Sequence, residues 1–253
     1  MLKQHIDWFE QYVQGFLTGD PEDDHHIVLK KEHSLKVLQE ARSITDSLGL
    51  PGELAEAALL GALYHDMGRF YQYRRYKTFR DDLSQNHAFL GVHALRAAPD
   101  MPALSKSATA LVRGCVVLHN RRAVPARLAP GLATAVRIVR DSDKLDIVRI
   151  MLDYMRPGGS RSDVVTLHVA DEPERYNPEL VAEINQGRIG DYAKMRFVND
   201  FKLLLASWVY DLNFPAARRA FRDRGHVEEL FGLLPRAPEL TRLKNRIYSA
   251  LDQ

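Results

Sequence analysis

The chain has 253 residues, 45% of them hydrophobic and 27% charged, the make-up of a globular protein long enough to bury a sizeable core. Its 35 Lys+Arg against 33 Asp+Glu leave a net charge of +2, which argues against extended nucleic acid held by bulk surface charge. A single Cys excludes an internal disulfide framework and a Cys-rich zinc site, and ten His form the one unusual count.

The N-terminal MLKQHIDWFEQYVQ is charged and amphipathic rather than signal-like, and no apolar run reaches the roughly 18 residues of a membrane span, so a cytoplasmic protein is expected. Apolar spacings of three and four recur along the chain while alternating patterns are scarce, which predicts an all-α fold. Helices are expected over 4–17, 24–48, 53–67, 83–97, 102–119, 131–154, 178–187, 194–212, 215–232 and 237–251. Asp20-Pro21, Gly49-Leu50-Pro51-Gly52 and Pro99-Asp100-Met101-Pro102 punctuate them. Pro157-Gly158-Gly159-Ser160 opens the least regular stretch, where 163–169 admits a short strand. A helical core over 1–155 and a helical extension over 156–253, packed as one unit, is the expected organisation.

Placed on these helices, several ligand-type residues fall on apolar stripes. His33 lines up with Val37, Ile44 and Leu48; His65 continues the row Leu54, Ala58, Gly61, with Asp66 next to it. His87 shares a face with Leu90, Gly91 and Ala94, His119 closes the row Ala108, Val112, Cys115, and Asp143 sits among Val136, Val139, Ile147 and Ile150. A lone His on such a face is ordinarily a hydrogen-bonded core residue. Five successive helices delivering six such groups, two of them carboxylates that are costly to bury unpaired, point instead to a metal centre. Imidazoles and carboxylates without thiolate suit Fe, Mn, Ni, Co or Zn, and Mg with waters, as one or two divalent ions. Asp141 lies about 200° around the helix from Asp143 and is expected on the solvent side or between helices, while Asp146, about 60° off the row, is placed behind a ligand or at a helix contact. His5, His25, His26, His93, His168 and His226 are read as incidental.

KEHSLKV (His33), ALYHDMGRF (His65, Asp66) and RDSDKLDIV (Asp143), with NHAFLGVHAL (His87) and VVLHNRR (His119) between, resemble the HD superfamily of metal-dependent phosphohydrolases in its dinuclear form. The resemblance covers about residues 24–150 and implies an HD-domain-like helical bundle. It implies that His33, His65, Asp66 and Asp143 hold one metal and that Asp66 bridges to a second held by His87 and His119. A metal-activated hydroxide would then attack phosphorus. The GYP signature of cyclic-di-GMP phosphodiesterases is missing after His119, and the His-Gly and His-Glu features of dNTP triphosphohydrolases are absent. No synthetase domain accompanies the site, so a full-length alarmone synthetase–hydrolase is not expected. The spacing is similar to small bacterial HD hydrolases acting on nucleotides or dinucleoside polyphosphates.

Between Asp66 and His87 runs RFYQYRRYKTFR, residues 69–80, whose interleaved basic and aromatic groups suit a phosphorylated ligand with a stackable base. Arg69, Tyr73, Arg74, Arg75, Tyr76, Lys77 and Arg121 are therefore candidate substrate contacts, with Asp66, Arg69 and Lys144 as the catalytic set. Asp81 and Asp82 are read as cap charges of the following helix. The expected function is hydrolysis of a small phosphorylated compound, a nucleotide being favoured, with no membrane partner and a homodimer left open. The alternatives are a mixed-valent di-iron oxygenase and a non-catalytic nucleotide-sensing module.

Overall fold

The computed structural model describes residues 1–156, 158–159, 164 and 169–252, and every regular element among them is helical, as the periodicity predicts. The strand admitted for 163–169 falls almost wholly outside the described residues; the β-type pairing seen among them is an isolated bridge between Ala170 and Phe197. No described helix is long and apolar enough to cross a membrane. The chain forms two compact units, Met1–Asp146 and Ile147–Gln253.

The first unit contains α1 (Leu2–Gln14), α2 (Pro21–Leu48), α3 (Gly52–Tyr64), α4 (Met67–Tyr76), α5 (His87–Ala97), α6 (Lys106–Leu118) and most of α7 (Pro130–Met155). Local chemistry sets these limits. The Asp20 side chain accepts from the Glu22 and Asp23 amides, Pro21 occupies the first turn, and Gly49 at φ 59° ends α2. Asn86 caps α5 through the Ala88 and Phe89 amides, and Ser105 caps α6 through Ala108. Arg140, buried on α7, donates to the His119 and Arg121 carbonyls and so satisfies acceptors at and just beyond the end of α6.

Two expected helices are interrupted. The segment 53–67 stops at Tyr64 and restarts at Met67, because Asp66 at φ −100° and ψ 16° leaves helical geometry. The start expected at 83 falls at His87, after a short 3₁₀ turn over Asp81–Leu83. Gly68 lets α4 lie directly on α5: a Cβ there would meet the His87 carbonyl oxygen at 2.0 Å and the Gly91 nitrogen at 2.6 Å. The core joins Phe9, Tyr64 and Phe70 to Ile27, Ile44, Leu60, Leu63, Val112 and Val139, all buried. These apolar contacts fix the helix ends that carry the site.

The second unit contains the end of α7 and α8 (Pro178–Ile184), α9 (Val198–Ser207), α10 (Pro215–Asp223), α11 (His226–Gly232) and α12 (Pro238–Leu251). Gly225, at φ 69°, breaks the helix expected over 215–232 into α10 and α11. Buried Asp200 accepts from the amides of Asn177, Arg196 and Phe197, fixing the loops around α9.

Candidate metal centre

α3 ends at His65, α6 ends at His119, α5 begins at His87 and Asp66 occupies the joint between α3 and α4. Helix ends thus meet where His33 of α2 and Asp143 of α7 arrive from mid-helix. The C-termini of α3 and α6 present their negative dipole ends there, which favours a cation.

Two groups of ligand-type atoms result, His33–His65–Asp143 and Asp66–His87–His119, and each could hold a metal ion. In the first, His33 Nε2 lies 3.2 Å from His65 Nε2, and Asp143 Oδ1 lies 3.1 Å from His33 and 3.5 Å from His65. In the second, His87 and His119 face each other through Nε2 at 3.0 Å. Asp66 reaches both: Oδ2 is 3.7 Å from the Nε2 atoms of His33 and His65, and Oδ1 is 3.4 Å from His87 and 3.7 Å from His119.

The other nitrogen of every ring is already engaged. His65 Nδ1 donates to the Ala62 carbonyl at 2.7 Å and His119 Nδ1 to the Val116 carbonyl at 2.8 Å. His33 Nδ1 donates to Asp146 at 2.7 Å, and His87 Nδ1 to both oxygens of Asp81 at 2.8 and 2.9 Å. A carbonyl or an ionised carboxylate can only accept, so the proton sits on Nδ1 and each neutral ring turns a lone pair inward from Nε2. Two lone pairs facing each other at about 3 Å repel unless a cation lies between them. Asp143 Oδ1, buried in the same cluster, accepts no hydrogen bond. The donor set therefore fits divalent metal ions, with imidazole nitrogen favouring the transition metals.

Burial and Lys30 oppose protonation of His33, but Asp143 and Asp146 outweigh them and raise its pKa, so a metal at the first group competes with a proton there. Burial and then Arg69 push His87 down to about 3, so it is neutral and has no proton to lose on binding. Burial opposes ionisation of Asp66, but Lys30, His65 and Arg69 outweigh it and hold the carboxyl well below its usual range. Asp143 is held well down likewise: burial acts against ionisation, and His65 and His33 overcome it. Burial likewise opposes an ionised Asp81, yet His87 and Arg69 bring it to about 2. Cys115, buried between helices and pushed up to about 12 by desolvation, is a packing residue.

Two contributors, Lys30 and Asp81, are not marked as such in the sequence. Lys30, one turn before His33 on α2, places Nζ 2.8 Å from Asp66 Oδ2, and its position on the His33 row was the available signal. Asp146, expected behind a ligand or at a helix contact, lies behind His33. Asp81, taken for a helix cap charge, is instead a hub for His87, Arg69 and Gln72; its segment has no periodicity to read. Asp141 is fully buried, so its solvent-side reading is ruled out.

The basic–aromatic segment is a correction too. Residues 69–76 lie on helix α4, so neighbours in sequence face different ways and no continuous strip forms. Arg69 turns toward the centre, with Nε 3.4 Å from Asp66 Oδ1, while one terminal nitrogen donates to the Phe79 carbonyl and to Gln72. Tyr73 is buried, stacked on His26 and bonded to its Nδ1 at 2.9 Å. Arg74 and Arg75 are exposed, Arg74 donating to the Gly15 carbonyl and Arg75 lying over the half-buried Tyr76 ring. Lys77 pairs with Asp23. Arg121 is exposed over the Phe89 ring, and Lys144 is buried on α7 beside Asp143. His5 is buried too, bonded to the Tyr64 hydroxyl.

Residues 31–147 match the family model of the HD domain, a span that includes all six ligand-type residues. This stretch, a little under half of the chain, is similar to an HD domain. HD domains bind divalent metals and are generally phosphohydrolases, so the similarity points to metal-dependent hydrolase activity. No curated protein and no solved structure matches the chain.

Proposed function

We propose that this protein hydrolyses a phosphoester or phosphoanhydride bond of a small phosphorylated compound, with a nucleotide as the favoured class. The observation that carries this reading is Asp66, whose two oxygens each serve a separate pair of inward-facing imidazoles. Divalent ions bound there would supply Lewis-acid charge and acidify water.

The chain's own residues do the rest. Asp81 and Asp146 hold the rings of His87 and His33 in one tautomer and one orientation. Lys30 and Arg69 flank Asp66 on its two oxygens, each side chain only 15% exposed, and both lie over the Phe79 ring. Arg69 Nε has no hydrogen-bond partner. Once positive charge is bound at Asp66, these two cations become available to the phosphoryl oxygens. There they orient the group and neutralise charge that grows in the transition state. A nucleotide is favoured by the resemblance to small HD hydrolases acting on nucleotides; of the 69–80 segment, only Arg69 turns toward the centre.

Metal-stripped protein reloaded separately with Mn, Fe, Co, Ni, Zn and Mg, then offered phosphomonoesters, nucleotides and dinucleoside polyphosphates, tests the reading. At least one pairing should release phosphate or, from dinucleoside polyphosphates, the two nucleotide products, with turnover lowered at least about 1000-fold in Asp66→Ala. Absence of turnover with every metal and substrate would overturn it, and O₂ uptake in place of phosphate release would favour the oxygenase alternative.

A further inference from the structure

The second unit carries a cleft of about 910 Å³ between the end of α8, the turn holding Tyr210 and one face of α12. That face presents Arg242, Asn245, Arg246 and Ser249, spaced three and four apart so that all four side chains share a side of the helix. Tyr210 and Asn185 line the opposite wall.

The face brings two guanidinium groups together. Elsewhere in the second unit some cations are paired, Arg156 with Glu229, Arg175 with Glu172, Lys194 with Glu183, Arg222 with Asp252 and Lys244 with Glu228, while Arg188, Arg196, Arg219 and Arg236 stand singly without an ion pair among the described residues. Arg242 and Arg246 form no ion pair with any described residue. Glu239, the acidic residue one turn before Arg242, is already taken by the Tyr176 hydroxyl at 2.6 Å. Two like charges four apart on a helix cost a few tenths of a kcal/mol. Here Glu239 lies near enough to feel Arg242, and Arg246 lies against the Tyr210 hydroxyl, but neither guanidinium has an ion-pair partner in this concave site, which amide and hydroxyl groups also line.

We infer that this cleft binds a phosphate-bearing small molecule, with Arg242 and Arg246 gripping the phosphate and Asn245, Ser249 and Tyr210 supplying hydrogen bonds. Two guanidinium groups spaced by one helical turn suit bidentate contact with phosphate oxygens. The volume falls in the range of small-ligand pockets and would admit a mononucleotide. The inference stands on the second unit alone and holds whether or not the metal centre is catalytic.

Calorimetric titration of the full chain in a metal chelator with ADP, inorganic phosphate and adenosine tests it. ADP and phosphate should bind and adenosine should not, since the phosphate is the anchor. Binding should weaken at least about tenfold in Arg242→Ala/Arg246→Ala and only partly in Arg242→Lys/Arg246→Lys. It should persist in His65→Ala, which removes a ligand of the metal centre, and in Arg219→Ala, an exposed cation outside the cleft. The inference is overturned if the wild type takes up neither ADP nor phosphate, if adenosine binds as well as ADP, or if the double alanine variant binds like the wild type. An equal loss in Arg219→Ala overturns it as well, by showing diffuse charge attraction rather than a site.

Discussion

Asp81 grips the Nδ1 of His87 with both carboxylate oxygens, at 2.8 and 2.9 Å, from a turn that contributes no ligand-type atom of its own to either metal group. That grip fixes the tautomer and aim of one ligand only. Asp81→Asn should therefore weaken metal binding at the Asp66–His87–His119 group by about 10–100-fold and leave the other group unchanged. Metal titration followed by competition with a chelator reads this directly. Equal weakening at both groups would show that Asp81 acts on the fold rather than on His87.

Asp146 plays the same part for His33, but from a fully buried position on α7. Asp146→Ala leaves the His33 N–H without its acceptor and should cost about 2–3 kcal/mol of stability, besides lowering affinity at the His33–His65–Asp143 group. Denaturant unfolding with and without metal separates the two effects.

Gly68 permits the contact of α4 with α5 that brings Asp66 beside His87. Gly68→Ala would ordinarily favour a helix, yet here the new Cβ meets backbone atoms that cannot move independently. A loss of about 2–3 kcal/mol is expected, together with weaker metal binding at the His87 group. A thermal midpoint equal to or above that of the wild type would contradict the close approach.

His226 gives the second unit an acid-sensitive element. Burial, and then Arg224, push it down to about 4, and neither ring nitrogen has a hydrogen-bond partner. The unfolded chain titrates near 6.5, so between those values the unfolded state binds more protons and stability falls as pH falls. His226→Leu should remove this contribution, on the order of 2 kcal/mol, and flatten the stability profile from pH 6.5 to 4. Unfolding curves at pH 7.5 and 4.5 for both proteins check it; an unchanged slope in the variant would count against it.

Much of this arrangement was legible because helical periodicity carries side-chain direction. His33, His87 and Asp143 fall on apolar rows that must face a core, so their grouping follows from the helix faces. The break at His65–Asp66 was not legible, since nothing in the apolar spacing marks one residue leaving helical dihedrals. Asp81 stayed hidden for a related reason: it lies in a turn between α4 and α5, where side-chain direction follows no repeat. The basic–aromatic segment misled through the opposite error. Read as an extended strip it faces one ligand, but as a helix it sends Arg69 to the centre, Tyr73 to His26 and Arg75 to solvent. Lys30 shares the His33 row and was readable there, yet a lysine three residues from a ligand looks like any solvated helix charge until its contact with Asp66 is seen.

The central claim is a pair of metal groups joined by Asp66, and metal content per chain after reconstitution and desalting tests it most directly. The account predicts two equivalents for the wild type, one for His87→Ala/His119→Ala, and less than one for Asp66→Ala. One equivalent or none in the wild type, or full retention in Asp66→Ala, would contradict it.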